Sequence, residues 1–307
     1  MNQENATASK QVTAKAHIML IAYLAWALYL WPQVIWVFAV APIVWSIPSV
    51  SLTVVAVIYS AIGNILPLLL YLLLTKQRPR AVLPPTSLGK KNALFISVFE
   101  LSFMLVIVFI SLGHFGTIFN GMSIEPFEPR SIIDSLLIPV IAFGVLTATF
   151  EELWYRGPIY AEYQRRGVSF WKIGLVGGLL FGIVHSGMFQ VSYTFVSGFM
   201  MAVMLHYTRS IWAPILAHVV GNILFQVLNP HGWISDYTVL QDVIGTWVLI
   251  LGIASVVMLP IGIWCMRKLI LNNPRGKEPP ASETKLFTIG FWALIAVMVV
   301  LAVMISI

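Results

Sequence analysis

Three short patterns place acids, imidazoles and an amide inside otherwise apolar stretches: Glu151-Glu152-Leu153-Trp154-Tyr155-Arg156, Phe181-Gly182-Ile183-Val184-His185 and His218-Val219-Val220-Gly221-Asn222. Ionisable groups are costly in a bilayer, so those that persist face a cavity or one another and mark function. On a helix Glu152 and Arg156 stand at i and i+4 in the favourable order and can form an ion pair. Glu151 points about 100° away from Glu152, outside that pair. A carboxylate in a poorly hydrated site has its charged form disfavoured, which suits it to take a proton from water. The structural alternative is that both glutamates snorkel to an aqueous interface.

His185 follows Gly174, Gly178 and Gly182, which recur at successive i+4 positions. Such a small-residue stripe admits a neighbouring helix at close range, so the imidazole is expected near that contact, where it would otherwise serve as an interhelical hydrogen-bond donor. His218 and Asn222, also at i and i+4, share one helix face. Their N–H groups suit an oxyanion formed when water attacks a peptide carbonyl, and their bland role is hydrogen bonding between helices. Ser186 lies next to His185, but adjacent helix positions diverge by about 100°, which makes it a poor nucleophile for that imidazole.

The remaining polar groups read as structural. Glu100, in the middle of an apolar run, is a buried hydrogen-bonded acid on this reading, and His206 with Arg209 is interfacial at a cytoplasmic helix end. His17, His114 and His231 fall near helix ends or in loops, and Trp26, Trp31, Trp36 and Trp45 are packing and interface anchors.

The elements that must position these groups are set by composition. Of 307 residues, 59% are hydrophobic and 10% charged, and the mean hydropathy of +0.89 belongs to a bilayer rather than to a soluble domain. A crossing needs about 20 apolar residues, and the runs near 17–44, 50–75, 92–112, 133–156, 171–189, 193–208, 210–228, 243–265 and 286–306 qualify or nearly so. The fold class expected is all-α, a polytopic transmembrane bundle of about eight to nine helices, with one of the short pieces between 171 and 228 tilted, broken or re-entrant. Pro158 is expected to close the fourth helix.

Threading these spans from a cytoplasmic N-terminus leaves only Arg130, of 18 Lys and Arg residues, on the opposite side. That bias puts the protein in the cell membrane as a multi-pass chain with a cytoplasmic N-terminus. The net charge of +6 is scattered through short loops rather than gathered in a patch, which argues against nucleic acid as a partner. The single cysteine, Cys265, excludes an internal disulfide framework and a thiolate metal site. The chain divides into a polar tail at 1–16, N-terminal helices at 17–131, a chemistry-bearing core at 132–228 and C-terminal helices at 229–307, with 272–285 as a linker before the last.

Glu-Glu-x-x-x-Arg, Phe-x-x-x-His and His-x-x-x-Asn, in this order and on separate apolar helices, resemble the CPBP family of CAAX proteases and bacteriocin-processing enzymes, over roughly residues 132 to 228. The resemblance implies an intramembrane endopeptidase acting on a membrane-associated protein or peptide. It implies that Glu151 activates water, that His185 assists or binds, that His218 and Asn222 stabilise the oxyanion, and that Glu152, Arg156 and Phe181 support them. A zinc ion held by Glu151, His185 and His218 would be reasonable chemistry. There is no His-Glu-x-x-His pair on one helix and Asn222 is a poor zinc ligand, which favours glutamate catalysis with no required cofactor. The alternatives from other classes are a non-catalytic immunity or scaffold protein and an ion-coupled transporter, for which no inverted repeat is evident.

Overall fold

The computed structural model describes residues 52–119, 137, 140–165, 167–185, 188–228, 237–274 and 296. The tail 1–16, the expected span at 17–44, most of that at 286–306, the four early tryptophans, Ser186 and His231 lie outside them. Among the described residues every element is helical, in the order α1 (Leu52–Thr75), α2 (Pro79–Val82), α3 (Lys90–Phe119), a π-helical segment Val140–Thr147, α4 (Ala148–Trp154), a second π segment Tyr155–Ile159, α5 (Tyr160–Arg165), α6 (Phe170–Ile183), α7 (Met188–Thr208), α8 (Trp212–Leu228) and α9 (Tyr237–Asn272). The chain is an all-α membrane helix bundle, as its composition requires. Among the described residues three stretches are long and apolar enough to cross a bilayer, Lys90–Leu112, Phe189–Thr208 and Val243–Asn272. Phe170–Ile183 and Trp212–Leu228 are shorter; the 14 residues of α6 rise only about 21 Å.

The described residues form two compact units. One comprises residues up to Pro85 together with Phe150–His206, and the other Thr86–Thr149 with Tyr207–Pro274. In the first, α6 and α7 are pressed together along the glycine stripe. A Cβ on Gly178 would stand 2.7 Å from the Phe195 carbonyl oxygen, and one on Gly182 3.0 Å from that of Val191. Gly198 of α7 answers from the other side, its Cβ position 3.0 Å from the Gly178 Cα. The expected close approach is present, and its cause is the absence of side chains on the facing surfaces.

Pro158 does not close its helix, contrary to the sequence expectation. The chain continues through it and ends only at Arg165. A proline inside an α-helix lacks the N–H for its own bond and presses its ring on the carbonyl four residues back. The wider π turn at Tyr155–Ile159 accommodates both defects. The true stop is Gly167, at φ 68°, where Val168 N–H bonds the Tyr163 carbonyl and Gly167 N–H that of Gln164. This is the paired-bond ending that needs a left-handed residue.

In the second unit α3 and α9 run antiparallel. Asn92 pairs with Asn273 at one end through reciprocal amide bonds of 3.3 and 3.1 Å. Gly262 meets Ser102 and Gly252 meets Phe109 further along. Leu105, Val108, Leu112 and Leu251 are buried together between them.

Candidate active site

Arg156 organises the first unit. Its Nε lies 3.0 Å from Glu152 Oε2, with the two side chains 2% and 0% exposed. The i, i+4 pair expected from sequence therefore exists, and it is buried. Nη2 donates to the Gly198 carbonyl at 3.0 Å and lies 3.7 Å from Met201 Sδ, both on α7. The guanidinium carbon sits 4.8 Å from the centre of the Phe181 ring on α6 and 5.9 Å from that of Tyr155. One side chain thus joins α4, α6 and α7 through an ion pair, a backbone hydrogen bond and two aromatic faces. Glu151, one position from Glu152, is half-buried. Both lie on α4, where successive positions diverge by about 100° around the helix axis.

His185 follows the end of α6. Its Nδ1 is 2.7 Å from the Phe181 carbonyl oxygen, one of the last four carbonyls of that helix, which have no partner within it. A carbonyl only accepts, so Nδ1 carries the hydrogen, and in the neutral ring Nε2 carries the lone pair. The Phe181 ring, 1% exposed, meets the imidazole edge to face at 4.8 Å and Tyr155 likewise at 5.3 Å. Glu152, Arg156, Phe181 and His185 are consequently one connected set, with Glu151 on the same helix as its first member.

In the second unit α8 carries His218, buried at 6% exposure, and half-buried Asn222. Asn222 Nδ2 donates to the Phe143 carbonyl at 3.0 Å, fastening α8 to the first π segment. At the same junction a Cβ on Gly144 would lie 3.0 Å from Ile223 Cγ1. The carboxamide keeps a second N–H for another acceptor. Glu100 is buried, with Oε2 facing Gly221 of α8.

His206 is a correction. Sequence places it at an interface, yet it is 7% exposed, stacked on Phe170 at 4.1 Å and 3.3 Å from the Tyr160 hydroxyl through Nδ1. Packing of α7 on α5 and α6 covers the position that its place near a helix end suggested was wet. Arg209 is exposed at φ 55°, as a residue just past a helix end. Sequence reasoning also missed Tyr155, Gly198, Met201 and Phe143. Two of these act through backbone carbonyls, which residue type does not reveal.

Among the described residues, no group of three or more His, Cys, Asp or Glu side chains is close enough to hold a metal ion. Of the conceivable zinc set Glu151, His185 and His218, His185 has its ring orientation set by the Nδ1–H bond to a carbonyl.

These features define the class: an all-α membrane protein with a buried acid–arginine pair joined to an orientation-fixed histidine. Residues 133–224 match the family model described as Type II CAAX prenyl endopeptidase Rce1-like. The chain is also 25% identical over 178 residues, covering 56% of itself and 71% of the relative, to the Bacillus subtilis (strain 168) protein named "Putative membrane peptidase YdiL". No solved structure matches it. The resemblance to the CPBP family carried by the three patterns is borne out over that segment.

Proposed function

We propose that this protein is an intramembrane endopeptidase that hydrolyses a peptide bond of a membrane-associated protein or peptide by glutamate-activated water attack. The observation that carries the reading is the family match over 133–224, which encloses Glu151, His185, His218 and Asn222. On this reading Glu151 accepts a proton from water while His185 Nε2 accepts a hydrogen bond that aims it. The resulting hydroxide attacks the carbonyl carbon, and N–H groups of His218 and Asn222 take up the negative charge on the carbonyl oxygen. Collapse breaks the C–N bond, and the protonated Glu151 returns its proton to the leaving amine. No serine or cysteine nucleophile takes part. Glu152 and Arg156 hold the histidine-bearing helix end and stay out of the proton transfers.

The site faces the cell membrane's cytoplasmic side, where the flanking loops carry their Lys and Arg residues. The substrate need not be prenylated. Glu151→Gln keeps shape and hydrogen bonding while removing the base, so cleavage falls by a factor of about 10²–10⁴ with the thermal midpoint unchanged. The measurement compares membrane peptides from cells making either form. Identical peptide profiles would sink the proposal: unaltered function in the variant would favour a scaffold, and altered ion-coupled flux a transporter. Activity lost on chelation and restored specifically by zinc would replace the metal-free mechanism with a zinc one.

A further inference from the structure

At one end of the second unit the start of α3 and the end of α9 lie together, held by the Asn92–Asn273 amide pair. Lys90, Lys91 and Arg267 are exposed there and Lys268 is half-exposed. The stretches 86–99 and 252–277 contain no Asp or Glu. The cations are paired with rings: Lys91 Nζ is 5.9 Å from the centre of Phe95, and Lys268 Nζ 5.5 Å from that of Trp264. Those two rings meet edge to face at 5.9 Å, so two ammonium groups crown one aromatic step. Trp264 is 51% exposed, and Val257, Ile253 and Leu94 are exposed too. Both helices supply candidate spans that begin or end at this cluster, Lys90–Leu112 and Val243–Asn272.

We infer that the Lys91–Phe95–Trp264–Lys268 cluster is a binding site for the phosphate group of an anionic phospholipid. The headgroup is matched by Lys91 and Lys268, with Lys90 and Arg267 adding to the positive field. Trp264 sits at the level where amphipathic rings collect, between headgroup and hydrocarbon. The acyl chains lie along the exposed apolar face of α9 through Val257 and Ile253. A soluble anion matches the ammonium groups but leaves that face and the exposed ring uncovered, which selects lipid over free phosphate. Basic pockets between membrane helices are suited to such headgroups. The inference needs only a membrane-spanning chain and is independent of peptidase activity.

The test uses the full chain in phosphatidylcholine nanodiscs with and without phosphatidylglycerol, reading the thermal midpoint, and native mass spectrometry for the lipids retained. Phosphatidylglycerol raises the midpoint of the wild type. Each basic residue near an anionic surface is worth a factor of about 5, so Lys91→Gln/Lys268→Gln weakens phosphatidylglycerol retention by about 30-fold. Lys91→Arg/Lys268→Arg retains the lipid, and Lys172→Gln, an exposed cation of the first unit, has no effect. Undiminished retention by the Gln pair overturns the assignment. So does equal loss in Lys172→Gln, or equal stabilisation by inorganic phosphate added to phosphatidylcholine nanodiscs.

Discussion

Arg156 shows how much a single buried charge can commit. Its partners are an acid one turn back, a carbonyl and a sulfur on α7, and an aromatic ring on α6. Replacing it with leucine removes the ion-pair partner 3.0 Å from buried Glu152, at about 3–5 kcal/mol, whereas adding Glu152→Gln to that change recovers much of the loss. Denaturant unfolding in detergent micelles distinguishes the two, and a double variant no more stable than Arg156→Leu would refute the accounting. At His185 the tautomer depends on a backbone carbonyl and the orientation on the Phe181 ring. Phe181→Leu therefore leaves the Nδ1-protonated signature in nitrogen-15 spectra, assigned by comparison with His185→Gln. On the proposed mechanism it lowers kcat about 10- to 100-fold through misorientation. A switch to the Nε2-protonated form would show that the carbonyl bond is not what sets the ring.

At the scale of elements, α6 and α7 depend on missing side chains. Gly178→Ala drives a methyl into the Phe195 carbonyl at 2.7 Å, while Gly177 has nothing within 4 Å of its Cβ position. The first change destabilises by about 1–3 kcal/mol and the second is near neutral or slightly favourable. Parallel thermal melts of the two variants check this, and equal melts would mean the helices part without penalty. The glycine spacing announced this contact because periodicity is a local property of the sequence. The behaviour of Pro158 was not legible in the same way. A proline forbids the regular α bond, but whether the chain stops or widens into a π turn depends on what covers it. Here Leu83 and Val82 crowd Gly157, so the turn is buried and held.

For the whole molecule, the lopsided distribution of Lys and Arg makes a topology prediction. Cys265, the chain's single cysteine, is buried, so introduced cysteines label against a quiet background. Gln164→Cys, exposed at the end of α5, is expected to react with a membrane-impermeant maleimide only from the cytoplasmic side. Reaction from outside would invert the assignment. The sequence by itself determined that the chain is all-α, that it lives in a bilayer, and which few polar residues stand inside its apolar runs. Hydrophobic periods and charges stranded in apolar runs are properties of single segments, readable without a partner. Only the tertiary structure decided that Glu152 and Arg156 are sealed from water, that His185 is oriented by a helix-end carbonyl, that Asn222 is fastened to Phe143, and that His206 is buried. Each of these depends on which backbone atom or ring another helix presents. Such partners are distant in the chain and carry no signature of residue type.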